Sequence, residues 1–280
     1  MLIFSKIVDI QRFLKEIKSQ KQSVGFVPTM GALHKGHISL IEASKKVCNI
    51  TICSIFVNPT QFNDKGDLER YPRMPEKDTL LLEEANCDVL FLPPINEIYP
   101  KKDQTTFDFG FLDKTLEGKH RPGHFNGVAQ VVKRLLEIVE PNKAFFGSKD
   151  FQQVMIVKAL IKQMNSTIEI IACPILREAD GLAMSSRNAL LSSEEREIAA
   201  LIPKLMNEAK NIAKKDGITT AKLFIQQETN KISLMKLDYF EICNAGTLEE
   251  MTDLKSGKKA IALIALFVGK IRLIDNLEIT

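Results

Sequence analysis

Residues Phe26–His37 read FVPTMGALHKGH, an apolar strand that runs directly into a His-x-Gly-His turn at the start of a helix. The first N–H groups of a helix lack partners within the helix and carry partial positive charge, so they attract phosphates. Two imidazoles beside them can donate further hydrogen bonds, and Gly31 and Gly36 let the backbone approach a ligand closely. The segment therefore predicts a site for nucleotide phosphates, against the alternative of a surface turn with incidental histidines.

The N-terminal part of the chain alternates strands with helices. Apolar runs at residues 24–27, 50–57, 89–92, 144–146 and 168–176 are separated by amphipathic segments near residues 38–47, 75–85, 128–139 and 151–164. Continuous rather than alternating hydrophobicity is typical of strands that are buried on both faces. The pattern predicts an α/β fold with a Rossmann-like, doubly wound parallel sheet, and such sheets bind ligands at the carboxyl ends of their strands.

Past Arg177 the pattern changes to a polar loop and then to a smaller α+β region. Residues 192–195 read SSEE, a capping box that predicts one helix as far as Lys215, and a second helix is expected from Thr219. Strands are expected within residues 237–243 and 259–273, with turns around Gly246 and Gly257. We therefore predict two domains, residues 1–176 and residues 177–280.

Composition places the chain among ordinary folded proteins. Its 280 residues are 45% apolar, and 38 basic against 35 acidic residues give a net charge of +3, too even to indicate a nucleic-acid or membrane partner. The five cysteines are odd in number, scattered and mostly within apolar runs, which is typical of thiols in a reducing compartment. The longest apolar run, residues 260–268, is too short to span a bilayer. We expect a cytoplasmic protein.

Two further polar segments follow predicted strands. Residues 58–61, NPTQ, place two carboxamides on a proline-stiffened turn that suits a small polar substrate, although Asn-Pro often only begins a turn. Residues 147–150, GSKD, put Lys149 at another helix start, which predicts a second anion site against the alternative of Asp150 as a helix cap. The segment from Asn63 to Glu76 follows Gln61 directly, and we expect it to fold over the site.

Two more segments carry cationic and hydroxyl side chains. Residues 177–188 include Met184-Ser185-Ser186-Arg187, and the Arg187 guanidinium could hold a phosphate with two hydrogen bonds, whereas the alternative is a solvated linker. Residues 120–125, HRPGHF, predict a basic, substrate-facing loop. A zinc site built from all four histidines is the competing interpretation, and neither a cysteine pair nor a Glu-x-x-His pattern supports it.

Taken together, these segments resemble the pantothenate synthetases, the pantoate–β-alanine ligases, which belong to the nucleotidylyl-transferase superfamily with the His-x-Gly-His motif. The resemblance extends over essentially the whole chain. The matching segments are residues 28–34, PTMGALH; 58–62, NPTQF; 71–73, YPR; 121–125, RPGHF; 146–153, FGSKDFQQ; and 184–188, MSSRN.

The resemblance implies an ATP-dependent condensation of (R)-pantoate with β-alanine through pantoyl adenylate, with release of AMP and pyrophosphate. It also implies Mg²⁺ as the cofactor, a homodimer, an ATP- and pantoate-binding first domain, and a lid formed by the second. Catalysis would fall to His34, His37, Lys149 and Arg187. Pantoate would contact Gln61 and Gln153, and β-alanine Gln61. ATP would contact Met30, Gly31, Ala32, Leu33, His34, Lys35, Gly36, His37, Gly147, Ser148, Lys149, Asp150, Leu176, Met184, Ser185, Ser186 and Arg187. The protein ligands of the metal stay unassigned.

Three other functions remain open from the residues alone. A nucleotidylyl transferase would use the same first motif but leave the nucleotide on its product. A noncatalytic RNA-binding relative of a tRNA synthetase would need basic and aromatic stretches that the sequence lacks. A metal-dependent hydrolase would use the four histidines as ligands.

Overall fold

A computed structural model describes residues 1–62, 65–255 and 257–280 of the chain. The described residues form two compact units. The first comprises Met1–Ser148 and Gln152–Pro174, and the second comprises Lys149–Phe151 and Ile175–Thr280. The assignment of residues 1–176 to ATP and pantoate and of residues 177–280 to a lid stays a prediction.

Strands and helices alternate along the N-terminal part of the chain. Their bounds are β1 (Leu2–Phe4), α1 (Ile7–Ser19), β2 (Val24–Thr29), α2 (Lys35–Lys45), β3 (Ile50–Ile55), α3 (Lys65–Arg70), α4 (Pro75–Glu84), β4 (Val89–Phe91), α5 (Ile95–Ile98), α6 (Glu117–His120), α7 (His124–Val139), β5 (Lys143–Gly147), α8 (Phe151–Gln163) and β6 (Glu169–Cys173). Short 3-10 turns lie at Pro59–Gln61, Gly110–Asp113 and Ser148–Asp150.

The six strands pair in parallel in the order β1-β4-β3-β2-β5-β6. Both faces of the sheet are covered, because neighbouring residues of β2 belong to different apolar clusters. Phe26 packs with α1 and α7 on one face, and Val27 packs with α2 and α4 on the other. The continuous apolar runs therefore mark strands buried on both sides, and the predicted α/β fold with a doubly wound parallel sheet is confirmed.

The second unit is a small α+β structure. Its elements are α9 (Ser193–Ala199), α10 (Ile202–Asp216), α11 (Ile218–Asn230), β7 (Met235–Asn244), β8 (Ala260–Val268) and β9 (Ile271–Glu278). The strands form an antiparallel sheet in the order β7-β8-β9. The predicted capping box is confirmed, since Ser192 Oγ accepts from the Glu195 N–H at 3.2 Å and Glu195 Oε2 accepts from the Ser192 N–H at 2.8 Å.

Two local predictions for this region are wrong. The single helix as far as Lys215 is two helices, α9 and α10, because Pro203 lies in the first turn of α10 and its ring is incompatible with a continuous helix. The stretch predicted as strand up to residue 273 contains the turn between β8 and β9, where Gly269 has a φ of +56°.

Within the described residues, no helix is both long and apolar enough to cross a membrane.

Candidate active site

Three strand ends of the first unit carry the segments that the sequence marks as functional. β3, β2 and β5 are adjacent and parallel, so the polypeptide leaves all three at the same edge of the sheet. The residues that follow them are the Met30–His37 segment after β2, the Pro59–Gln61 turn after β3, and Ser148 after β5. From β2 the chain proceeds to β3 on one side and returns later to β5 on the other, which makes this edge a topological switch point where ligands bind. The predicted placement of these segments at strand ends is confirmed.

The turn between β2 and α2 has an unusual backbone. Gly31 has a φ of +83°, and Ala32 has a φ of +49°, a left-handed conformation that costs a residue with a Cβ about 1–2 kcal/mol. The Gly31 N–H donates to Thr29 Oγ1 at 3.2 Å. A Cβ on Gly31 would come within 3.0 Å of Asp78 Oδ2, so both conformation and space favour glycine at this position.

A buried carboxylate holds this turn. Asp78, in the first turn of α4, is 1% exposed and accepts from the Ala32 N–H through Oδ2 at 2.8 Å and from the Leu33 N–H through Oδ1 at 2.7 Å. Burial raises the pKa of the Asp78 carboxyl, and the two N–H donors oppose that rise. Sequence reasoning did not identify Asp78, because it lies 45 residues from Leu33 and in no recognised motif.

The two histidines cap the start of α2. His34 Nδ1 accepts from the Gly36 N–H at 3.1 Å, and His37 Nδ1 accepts from the His34 N–H at 3.3 Å. The ring centroids are 4.1 Å apart. Because each Nδ1 lone pair is used by a backbone donor, the neutral form of each ring carries its proton on Nε2. Both rings thus present an N–H donor on the side away from the backbone.

This capping changes the mechanism expected for phosphate binding at this turn. Phosphate binding at a helix start needs unpaired N–H groups, but the Gly36 N–H in the first turn of α2 donates to a side chain of the protein itself. So do the N–H groups of Ala32, Leu33 and His34, which directly precede the helix. The His37 N–H donates to the His34 carbonyl at 2.8 Å. The donors that the two histidines offer to a ligand are therefore their Nε2–H groups, on the far side of each ring from these capping bonds.

Gln61 lies in the 3-10 turn after β3 and is 9% exposed. Asn58 orients its amide, because Asn58 Nδ2 donates to Gln61 Oε1 at 3.3 Å. Asn58 is itself held by donation to the Gly127 carbonyl at 3.0 Å and by the Tyr99 hydroxyl, which donates to its Oδ1 at 3.1 Å. The Gln61 Nε2 donor is left facing Met30 Sδ at 2.8 Å, and a thioether sulfur is only a weak acceptor.

His124 supports the same turn from α7. It is 6% exposed, and its Nδ1–H donates to the Gln61 carbonyl at 2.8 Å, which leaves Nε2 to accept from Arg121 at 3.1 Å. The prediction that residues 120–125 form a basic, substrate-facing loop is wrong at His124, which is the first residue of α7 and is buried. Its role in this unit is to hold the backbone of Gln61.

The two adjacent glutamines of α8 differ in their surroundings. Gln152 is 3% exposed and holds the segment before α6, since its Nε2 donates to the Leu112 and Thr115 carbonyls and its Oε1 accepts from the Glu117 N–H. Its amide is occupied by the protein. Gln153 is half-buried, which is compatible with its predicted role as the pantoate ligand.

Of the other predicted ligand residues, Gly147 and Ser148 belong to the first unit. The second unit holds Lys149, Asp150, Leu176 and residues 184–187. The Lys149 carbonyl accepts from Asn276 Nδ2 at 2.9 Å, which fixes the backbone of this lysine to β9. The Leu176 carbonyl accepts from the Met184 N–H at 3.0 Å, and Ser185 Oγ accepts from the Arg187 N–H at 3.3 Å as the cap of a 3-10 turn, Ser186–Leu190. Leu176 and Met184 are therefore neighbours, and their assignment to ATP stays a prediction.

Neighbouring contacts in the second unit hold these residues in place. The two terminal guanidinium nitrogens of Arg177 donate to the Asp275 carboxylate, at 2.7 and 3.0 Å, and that carboxylate is 2% exposed. Arg177 also donates to the Asn276 carbonyl at 3.2 Å.

In the part of the chain that the structure describes, no group of three or more His, Cys, Asp or Glu side chains could hold a metal ion. The assignment of residues to ATP, pantoate and β-alanine stays a prediction.

Comparison with known proteins adds independent information. The sequence model of the family described as pantoate-beta-alanine ligase matches residues 2–278. Among curated proteins, the pantothenate synthetase of Porphyromonas gingivalis is 43% identical over 278 residues and 99% of each chain. That of Cytophaga hutchinsonii is 46% identical over 281 residues, 100% of this chain and 99% of its own.

Solved structures give the same result. The pantothenate synthetase of Thermus thermophilus superposes with a TM-score of 0.92 at 37% identity and covers 100% of this chain and 99% of its own. The pantoate-beta-alanine ligase of Francisella tularensis, complexed with beta-gamma ATP and beta-alanine, gives a TM-score of 0.83 at 38% identity, with 100% and 98% coverage. The family resemblance inferred from the sequence motifs is confirmed.

Proposed function

The chain belongs to the pantoate–β-alanine ligase family, and from that premise we propose that it joins (R)-pantoate to β-alanine at the expense of ATP. The observation that carries the proposal is the full-length similarity to enzymes of this activity, one of which is complexed with beta-gamma ATP and beta-alanine. The arrangement of donors at the carboxyl ends of β2, β3 and β5 gives the reaction a physical basis in this chain.

The reaction has two steps. A pantoate carboxylate oxygen attacks the α-phosphorus of ATP, the bond to the bridging oxygen of the β-phosphate breaks, and pyrophosphate leaves with that oxygen. The neutral amine of β-alanine then attacks the acyl carbon of pantoyl adenylate, AMP leaves, and the amine proton passes to solvent. No covalent bond to the protein is needed, so the protein contributes positioning and stabilisation of charge.

Donors for the nucleotide phosphates come from side chains in this proposal. The Nε2–H groups of His34 and His37 point away from the capped helix start, and hydrogen bonds from fixed donors strengthen as charge develops on the transferred phosphorus. Lys149 and Arg187, the other two residues assigned to catalysis, would add positive charge. ATP would also contact the other assigned residues, namely Met30, Gly31, Ala32, Leu33, Lys35, Gly36, Gly147, Ser148, Asp150, Leu176, Met184, Ser185 and Ser186.

Recognition of pantoate rests on amide groups. Asn58 turns the oxygen of the Gln61 amide toward itself, so the Nε2 donors face Met30 and are available for a hydroxyl or carboxylate oxygen. Gln153 would supply a second amide to pantoate, and Gln61 would also contact β-alanine. A site that holds a substrate oxygen with a buried donor discriminates strongly against analogues that lack that oxygen.

Three further parts of the proposal follow from family membership. Mg²⁺ enters with ATP as Mg·ATP, which suits a chain whose described residues form no protein cage for a metal, because Mg²⁺ is often held by substrate phosphates with few protein ligands. The working form is a homodimer, and the molar mass of the purified protein from light scattering tests this. The location is the cytoplasm, in keeping with five free cysteines. Closure of residues 63–76 over the site also stays a prediction, since residues 63 and 64 lie outside the described residues.

Isotope exchange tests the proposed chemistry directly. The protein is incubated with ATP, Mg²⁺ and radiolabelled pyrophosphate, and label entering ATP is measured with pantoate alone, with β-alanine alone and with neither. Exchange that requires pantoate and not β-alanine is the expected result, because adenylation is reversible before the amine attacks. Exchange that ignores pantoate but responds to a phosphorylated acceptor would instead favour a nucleotidylyl transferase.

A further inference from the structure

Asp78 is a buried residue whose two carboxylate oxygens both bind backbone N–H groups of the turn before α2. Its carboxylate is buried at 1% exposure, and burial of an ionised carboxylate is unfavourable unless hydrogen bonds compensate for the lost water. Each of its oxygens accepts from a different backbone N–H, those of Ala32 and Leu33. Successive N–H groups that converge in this way form a concave anion-binding site. Here the anion that fills it belongs to the protein.

The position of these two N–H groups connects Asp78 to the reacting groups. Ala32 and Leu33 directly precede His34, which is the N-cap of α2 and whose own N–H binds the ring of His37. Ala32 is held with a positive φ of +49°, a conformation that needs support from its surroundings. A shift of this turn would move the backbone donors that fix Nδ1 of both rings, and with them the direction of both Nε2–H groups.

We propose that Asp78 is a positioning residue for the His-x-Gly-His segment, whose carboxylate fixes the turn at residues 31–33 and thereby aims the His34 and His37 rings at the nucleotide phosphates. The proposal rests on the function proposed above. It also assigns the carboxylate a second effect, which is to occupy two N–H groups that a phosphate could otherwise bind. The nucleotide is thereby directed to the imidazole donors.

The test uses Asp78→Asn in the full-length protein. The asparagine has nearly the same shape, but it has only one acceptor oxygen and places an NH₂ group against one of the two backbone donors. We expect a folded protein whose kcat for pyrophosphate release falls about 10- to 100-fold, because displacements on the order of 1 Å have effects of that size. We expect the KM for pantoate to stay within about threefold of wild type, since Asp78 binds Ala32 and Leu33 whereas Asn58 orients the Gln61 amide.

A matched control separates positioning from loss of stability. Asp88 also accepts a backbone N–H, that of Thr51 at 2.8 Å, but Thr51 is near the start of β3, at the end of the strand away from the site. Asp88→Asn should lower the melting temperature and leave kcat unchanged. If Asp78→Asn also left kcat within about threefold of wild type, or if Asp88→Asn reduced kcat as much, the proposal would be overturned.

Nitrogen NMR of the histidine rings gives a readout independent of turnover. Wild-type protein without ligand should show His34 and His37 as Nε2–H tautomers, and Asp78→Asn should change both signals while His120 serves as the internal reference. If the ring signals of Asp78→Asn matched those of wild type, the positioning role would be contradicted, even if the protein had no ligase activity. If the ring signals changed but wild-type protein showed no pantoate-dependent turnover, only the proposed function would be rejected. Should Asp78→Asn fail to fold, Asp78→Glu is measured in the same way, and a kcat within about threefold of wild type again refutes the proposal.

Discussion

The close approach of α7 to the Gln61 turn offers a sharp test of how pantoate is positioned. Gly127 has no side chain, and a Cβ added there would lie 2.4 Å from the Thr60 carbonyl oxygen, 2.7 Å from its carbon and 2.9 Å from Gln61 Cα. All three atoms are backbone atoms, so no side-chain rotation relieves the clash. The Gly127→Ala variant must move the turn or the helix.

The size of the displacement follows from these distances. Ordinary contacts of a Cβ begin at 3.4 Å, so the turn must shift by about 1 Å to accommodate the methyl group. A shift of that size strains the bond from Asn58 Nδ2 to the Gly127 carbonyl and the bond from His124 to the Gln61 carbonyl. The amide that would receive pantoate moves with them. We therefore expect kcat/KM for pantoate to fall about 10- to 100-fold.

Stability should change much less than activity. Overpacking costs about 1–3 kcal/mol, but glycine in a helix interior is about 1 kcal/mol less favourable than alanine, and the two effects oppose each other. The net loss of about 0–2 kcal/mol leaves the variant folded at assay temperature. Initial rates of pyrophosphate release at varied pantoate and saturating ATP measure the effect, and urea denaturation measures the stability.

Gly25→Ala is the matched control for this prediction. A Cβ at Gly25 would meet Ser44 Oγ at 2.1 Å, so it also overpacks the first unit, but in β2 and not at the Gln61 turn. It should destabilise the protein and leave the pantoate KM unchanged. If Gly127→Ala retained kcat/KM for pantoate within about twofold of wild type, or if the control lost as much, the close approach of α7 would not determine how pantoate is held.

Three other predictions address different parts of the chain. Replacing His37 or Lys149 by alanine should reduce adenylation about 10²- to 10³-fold in a folded protein, and a loss of less than about tenfold in quenched-flow assays would remove that residue from the catalytic set. Arg177→Leu leaves the Asp275 carboxylate buried without its partner, so urea denaturation should show a loss of about 3–5 kcal/mol, and an unchanged midpoint would contradict this pairing. A thiol reagent at pH 8 should modify Cys48 first, because it is half-buried, and the other four cysteines only after denaturation, because they are buried. Burial raises the pKa of all five thiols and the thiolate is the reactive form, so rapid reaction of all five in native protein would disagree.

The sequence predicted the parts of the fold that depend on local patterns. The apolar run around Phe26 and Val27 predicted a strand buried on both faces, and its length and flanking motif placed the functional segment at the carboxyl end of that strand. The capping box at Ser192 predicted a helix start because both partners lie within one turn. Pro203 is also a local signal, because a proline four residues after Ala199 indicates a break in the helix.

The supports of the site could not be predicted in this way. The contact of Asp78 with Leu33 and that of Gly127 with Thr60 join residues that are far apart in the chain, and their existence depends on how α4 and α7 pack on the sheet. Neither the composition nor the spacing of these residues differs from that of ordinary helix positions. His124 follows the polar residues His120 and Arg121 closely in the sequence, which predicts a loop, although its ring is buried.

The stoichiometry of the complete reaction decides whether this chain joins pantoate to β-alanine through an adenylate. Purified protein is incubated with ATP, Mg²⁺, pantoate and β-alanine, and AMP, pyrophosphate and pantothenate are quantified together, with each acid omitted in turn. We expect one AMP and one pyrophosphate for every pantothenate formed, and no sustained AMP release when either acid is absent. Formation of ADP and phosphate, or AMP release that does not depend on pantoate, would contradict this expectation.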